Sequence, residues 1–393
     1  MASSLERYFD ASATTPLAED VATEIHRVQA EAWANPSSLH GFGLAAAESL
    51  ERSRQRIAQA LHCSGRLCFS SGGTESIHLA LLGAAPQLWS ANGSAPRLLI
   101  SSVEHPATDA AAQQLAAQGW QLDRIPVNAD GLIDLRAFEQ MLEPPTRLVS
   151  LIWGQSEVGS LMPLAEIAQR CRQAGVLLHV DAVQVAGQQL IDFDALGVDL
   201  MSLAAHKLRG PRGVGLLLAR ADLELQPLLG GGGQEGGWRS GTEPVALIAG
   251  FAAALERRHR LLAEAPQGLA PLRNALLERL LELPGLRLSG PDPLSQPAAR
   301  LPHHISLLVR SDAGVPLPGR ALVQQLSRQG YAISSGSACR SLGDGRSAVL
   351  SAMGFDAATA ASGIRLSLGD WHAASDLFAV PEALMRARME LSA

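Results

Sequence analysis

No apolar stretch in the 393 residues approaches the roughly 18 that a membrane-spanning helix needs, so no membrane partner is expected. Runs of basic residues are absent too, and with a net charge of -6 nucleic acid is not an expected partner. Cysteine is scarce. Cys63, Cys68, Cys171 and Cys339 lack any CxxC-type spacing, which points to neither a metal site nor a disulfide framework. Met1–Arg7 carries no apolar signal core, and a strand-like segment follows almost at once, so a reducing cytoplasm is the expected compartment. Internal repeats and low-complexity tails are also missing. What remains is an ordinary globular composition, 47% hydrophobic and 18% charged, in a chain long enough for two lobes.

From about residue 66 to 220, short apolar runs alternate with helix-like stretches, the pattern of a mostly parallel α/β sheet flanked by helices. Strands are expected at 97–101, at 148–152, and in the runs ending at Asp181 and Lys207. Another is expected at 213–219, antiparallel because only a short turn precedes it. Helical periodicity marks 17–33, 44–61, 107–117, 164–174 and 245–263. Beyond residue 263 the prolines multiply. Strand candidates at 304–309, 331–335 and 364–368, with helices at 320–328 and 374–391, suggest a smaller α+β lobe. The expected division is a large lobe of residues 15–260 and a small lobe of residues 1–14 and 261–393.

The informative polar residues fall just after strands: His105, Gln155, Asp181, Gln184, His206 and Lys207. Open parallel sheets bind ligands outside the carboxyl ends of their strands. An ammonium at the mouth of a buried strand is costly unless it is used, and a lysine there can form a Schiff base with an aldehyde. Asp181, one strand–helix unit upstream, supplies a carboxylate. A lysine for the aldehyde and a carboxylate for the pyridinium nitrogen are what a pyridoxal phosphate site requires. Ser70–Ser76, with Gly72, Gly73 and Thr74, leads from a strand into a helix whose N-terminus could cup a phosphate. His105, before Pro106 at a helix start, could stack on a flat ring and exchange protons. His26, His62, His259 and His372 read as helix or loop surface. Cys339 sits in a stretch of small residues typical of a surface loop, where a thiol is reachable. Arg365, inside an apolar strand-like run, needs a partner: either a substrate carboxylate or an internal salt bridge.

Taken in order, Tyr8–Pro16, Asn35–His40, Ser71–Ser76, Val103–His105, His179–Gln184, His206-Lys207, Arg239–Thr242 and Ser334–Cys339 resemble the cysteine desulfurases of the NifS/IscS group. These are class V, fold-type I pyridoxal 5'-phosphate enzymes. The resemblance implies that Lys207 carries the cofactor aldehyde, that Asp181 pairs with its ring nitrogen and that His105 stacks on the ring. Gln184 would bond the ring hydroxyl, and Gly73, Thr74 and His206 would hold the phosphate. Thr242 would reach that phosphate from a second subunit, implying a homodimer. Arg365 would clamp the carboxylate of L-cysteine, and Cys339 would take the sulfur as a persulfide. The sulfur would then pass to an acceptor such as an iron–sulfur scaffold or carrier protein.

Two positions depart from the family pattern. Gln155 stands where an asparagine is usual, so its amide reaches one methylene further toward cofactor or substrate. Ala204 stands in place of a serine, removing one hydroxyl donor from the phosphate. Other readings of the same residues are a C–S lyase, a selenocysteine lyase or an aminotransferase with Cys339 as bystander. A low-activity paralogue serving as a binding subunit in sulfur transfer is a further one.

Overall fold

The computed structural model describes residues 5–89, 94–336 and 346–392; Cys339 therefore lies outside the described residues. Two sheets organise the chain. The larger has seven strands: β1 (Arg66–Ser70), β2 (Arg97–Ser101), β3 (Gln121–Ile125), β4 (Thr146–Ile152), β5 (Leu177–Asp181), β6 (Leu200–Ala204) and β7 (Gly215–Ala219). Their order across the sheet is β1-β7-β6-β5-β4-β2-β3. Strands β6, β5, β4, β2 and β3 run parallel. As expected, β7 is antiparallel to β6, and it also pairs antiparallel with β1. Two reversals leave β1 pointing the same way as β6, so the ends of β1, β2, β4, β5 and β6 open on one edge.

Strands β5, β6 and β7 are buried along their whole length, which is why each reads as a mainly apolar run, broken only by His179 and Ser202, rather than an alternating one. Helices 73–88, 106–117 and 164–174 cover the faces. Helix Leu164–Ala174 turns Leu164, Ile167, Ala168 and Cys171 inward and stops at Gly175, whose φ of +65° supplies the left-handed cap. Gly215 is required by close approach: a Cβ there would lie 2.6 Å from Cα of Gly72.

The smaller sheet is antiparallel, in the order β10-β11-β9-β8, from β8 (Leu286–Leu288), β9 (His304–Val309), β10 (Ser334–Ser335) and β11 (Gly363–Ser367). Its core gathers Ile305, Leu307, Leu366 and Leu384 and, from the other end of the chain, Phe9. The N-terminal segment is tied there by bridges Tyr8–Ala332 and Asp10–Ser367. Asp370, just past β11, pairs with Arg209, Arg257 and Arg258 on the elements around the large sheet.

Several expectations need correction. A continuous helix over 374–391 is instead a short turn, Ala374–Leu377, followed by a new helix, Val380–Ser392. Pro381 has no N–H and fits only a first turn, so the helix must begin there. The same chemistry hid helix Ala270–Leu281: Pro271 reads as a breaker but occupies the first turn. Strand β3 was missed because it lies at the sheet edge and is mostly exposed. The strand expected at 331–335 shrinks to two residues. His372, read as surface, is buried and stacks on Phe9 with ring centroids 4.4 Å apart.

Candidate functional site

Lys207 ends a short 3-10 turn, Ala205–Lys207, that follows β6 directly. It is the only lysine in the chain, against 31 arginines, a count that singles it out more sharply than its strand-end position does. Its Nζ donates to the carbonyl oxygens of Ser12 at 2.6 Å and Ala13 at 2.7 Å. Gln184 Nε2 donates to the same Ser12 oxygen at 2.9 Å. The Ser12 N–H, in turn, donates to Ser367 Oγ at 2.8 Å. One backbone unit of the N-terminal segment thus joins the lysine, the turn after β5 and strand β11. The sequence reading assigned Ser12 no role, because a carbonyl contact leaves no mark in residue identity.

Asp181 ends β5 and accepts from the Val183 N–H at 3.0 Å. Burial raises its pKa, while His105 and Lys207 favour its charged form. His105 caps helix Pro106–Ala117, its Nδ1 accepting from the Ala107 N–H at 3.1 Å. Burial lowers its pKa, so the ring is neutral with its proton on Nε2. His206 Nδ1 lies 3.1 Å from Thr14 Oγ1, and burial, aided by Lys207, lowers its pKa to about 4.

Helix Gly73–Leu88 has no side chain capping its N-terminus, and a Cβ on Gly72 would meet nothing within 4 Å. The amides of that first turn are open to an anion, and the Thr74 hydroxyl is exposed beside them. A Cβ on Gly73 would stand 3.7 Å from that of Ala204, so the departure at residue 204 borders this cup. A lysine, a buried carboxylate, a neutral imidazole and an uncapped helix end, all on one sheet edge, fit a flat aldehyde that carries a phosphate.

Gln155 is committed elsewhere. Its Nε2 donates to the Val103 carbonyl at 3.1 Å, and its Oε1 accepts from the N–H groups of Glu157 at 2.5 Å and Val158 at 2.9 Å. It braces the turn after β4 from beside the cavity. Arg365 forms the internal pair that its sequence context allowed: Nη2 donates to Asp10 at 2.6 Å and Nη1 to the Ser156 carbonyl at 2.8 Å. Thr242 is exposed, in a surface hollow of about 410 Å³ with Trp33 and Asn35 rather than among the other site residues. Glu104, part of the Val103–His105 signature but given no role in it, lines the cavity beside His105.

Cys63, Cys68 and Cys171 are free and buried. Burial pushes the Cys63 thiol up to about 11 and those of Cys68 and Cys171 up to about 12, which keeps all three unreactive at neutral pH.

This sheet order and site define a fold-type I pyridoxal-phosphate enzyme. The family model described as aminotransferase class-V matches residues 7–379. The cysteine desulfurase IscS of Clostridium botulinum is 32% identical over 98% of this chain and 96% of its own length. A cysteine desulfurase of Cereibacter sphaeroides is 36% identical over 96% and 94%. Among solved structures, a NifS-like protein superposes with TM-score 0.86 at 31% identity, covering 98% of this chain and 99% of that one. A structure described as SspA in complex with cysteine gives TM-score 0.79 at 28% identity, over 93% and 100%. The chain belongs to the class-V aminotransferase family, among the IscS and NifS-like cysteine desulfurases.

Proposed function

We propose that the protein is a pyridoxal 5'-phosphate-dependent cysteine desulfurase, which takes sulfur from L-cysteine, releases L-alanine and delivers the sulfur to an acceptor. The observation that carries this reading is the single lysine of the chain, held at the carboxyl edge of a parallel sheet beside buried Asp181 and an uncapped helix N-terminus.

When bound, the cofactor supplies an electrophilic aldehyde and a sink for the electron pair left at the substrate α-carbon. Lys207 is the residue to hold that aldehyde and, once displaced by the substrate amine, to move the α-proton. Asp181 would face the ring nitrogen as a carboxylate, and the neutral His105 ring would stack on the cofactor. Gln184 would meet the ring hydroxyl. Gly73, Thr74 and His206 would hold the phosphate, joined by Thr242 of a second copy. Arg365 would bind the substrate carboxylate, with Gln155 shaping the wall beside it.

Cys339 is the sulfur acceptor in this reading. Its thiolate forms a bond to the substrate sulfur as the carbon–sulfur bond breaks. The electron pair of that bond stays with carbon, which takes up a proton to give alanine, and the enzyme keeps a persulfide. An iron–sulfur scaffold or a carrier protein would then receive the sulfur. A homodimer in the cytoplasm is the setting we infer, and the two-lobe division near residue 260 would separate the lysine from the segment carrying Cys339. Free thiols at the three described cysteines fit a reducing compartment.

The chain tests this cleanly, because an aldehyde has one lysine to find. Borohydride reduction of the cofactor-loaded protein should add the cofactor mass to the Lys207 peptide, and Lys207→Ala should lose visible absorbance. Labelled L-cysteine should leave one extra sulfur on the Cys339 peptide and yield alanine. Pyruvate or a keto acid as product, with Cys339 unmodified, would refute the desulfurase reading.

A further inference from the structure

Oε2 of Glu104 and Nε of Arg365 are buried beside the site without a hydrogen-bond partner among the described residues. Both residues line one cavity of about 70 Å³, with His105, Gln155, Glu157 and Gly336. Glu104 is 7% exposed and Arg365 8%, so neither atom has bulk water to satisfy it. The other oxygen of Glu104 is fully employed. Oε1 accepts from Ser101 Oγ at 2.5 Å and from the Ile152 N–H at 2.9 Å, pinning the carboxyl across the ends of β2 and β4.

We propose that Glu104 is a substrate-recognition residue: its free oxygen carries a proton and donates it as a hydrogen bond to the carboxylate of the amino-acid substrate, opposite Arg365. This deepens the desulfurase reading and rests on it.

Two unmet donors on one small void are what a carboxylate needs, and both atoms would otherwise stay unsatisfied at a cost. The surroundings keep Glu104 neutral. Burial raises its pKa to about 8, and the negative charges of Asp181 on β5 and Asp109 on helix Pro106–Ala117 add to this. His105 on the same segment is neutral, so it supplies no compensating charge. Glu157, from the turn after β4, adds a further carboxyl to the cavity wall. Arg346 and Arg365 supply its positive charge, and Arg365 is already engaged with Asp10. An acid at this place donates to a carboxylate; its anion repels one. Affinity for amino acids should therefore fall as pH rises through about 8.

The probe is L-alanine, which has the carboxylate but no thiol to titrate, added to the holoenzyme and followed by cofactor absorbance. Wild type should lose affinity about tenfold per pH unit above pH 8, beyond the loss due to the ligand amine. Glu104→Gln, still a neutral donor, should show only the amine's contribution. Glu104→Met, neutral but no donor, should bind about tenfold more weakly at pH 7, and its KM for L-cysteine should rise more than its kcat falls. A wild-type pH profile in Glu104→Gln, or unchanged affinity in Glu104→Met, overturns the proposal.

Melting of the apoprotein reads the same group without the cofactor. A raised folded pKa means that wild type loses stability relative to Glu104→Gln as pH climbs from about 4.5 to about 8, then levels off. No such difference overturns the proposal alone. A melting difference in a protein that takes up no cofactor removes the desulfurase reading, and the proposal falls with it.

Discussion

Arg365 on β11 donates through Nη2 to the Asp10 carboxylate at 2.6 Å, a pair that joins residues 355 positions apart. It ties the N-terminal segment to the smaller sheet and holds the guanidinium in the wall of the cavity beside His105. Asp10→Asn leaves a buried, unpaired cation and should cost about 3 kcal/mol of stability in urea denaturation. A bound carboxylate would then replace the missing partner. L-Alanine should therefore raise the melting temperature of the Asp10→Asn holoenzyme more than that of wild type. Equal shifts would mean that Arg365 does not meet the ligand.

The buried histidines predict acid sensitivity. His179 lies between Ser150 Oγ at 2.8 Å and Ser202 Oγ at 2.9 Å, and burial pushes its pKa down to about 3. His303 is pushed to about 3 as well. Unfolded, each titrates near 6.5. Depressed folded values mean that their contribution is complete above about pH 6.5 and is lost as pH falls toward 3. Each fully buried histidine steepens that loss by about 1.4 kcal/mol per pH unit. His179→Gln should flatten the stability profile between pH 6 and 4 by about one proton. An unchanged slope would show that His179 takes up its proton in the folded state as readily as in the unfolded one.

Residue 204 is the place to strengthen the cofactor site. Ala204→Ser puts a hydroxyl at the edge of the helix cup, and one neutral hydrogen bond contributes about 1 kcal/mol. Cofactor affinity, measured by absorbance titration of apoprotein, should rise about fivefold. No gain would place the phosphate away from the N-terminus of helix Gly73–Leu88.

The surface around Thr242 predicts self-association. Trp33, Leu39, Phe42 and Leu44 are exposed together along one short segment, Leu39 at 91%. Trp33 also borders the hollow that contains Thr242. Such a patch calls for a cover, and a second copy would bring Thr242 to the other site. Leu39→Arg with Phe42→Arg should give a monomer by sedimentation and weaken cofactor binding at least about tenfold. A monomeric wild type with full cofactor affinity would refute the shared site.

Sequence reading went furthest where chemistry and local pattern coincide. The runs ending at Asp181 and Lys207 announced β5 and β6 because a strand buried on both faces is mostly apolar until it ends, and the polar side chains inside these two, His179 and Ser202, satisfy each other. It failed at Pro271 and Pro381, since a proline in a first turn and a proline that breaks a helix are the same letter. His372 was misplaced for a related reason: Phe9, on which its ring stacks, is more than 300 residues away. Gln155 was read as reaching toward a ligand, but its amide oxygen is spent on the backbone of its own turn and its amide nitrogen on the Val103 carbonyl after β2.

Residue identity by itself determined the reactive inventory of this protein: one lysine, one aspartate at the end of a buried strand, a glycine-led helix start and a cysteine among small residues. Those features are local, so the order of side chains suffices to state them. Tertiary structure alone decided which groups are charged and what each one faces. Burial raises the pKa of Glu104 to about 8, Asp181 and Asp109 add to the rise, and the hydrogen bonds from Ser101 and Ile152 oppose it. Arg365 is matched by Asp10, 355 residues away, and Lys207 rests against the Ser12 carbonyl, 195 residues away. Burial and long-range pairing set those energies, and neither exists until the sheets have closed on each other.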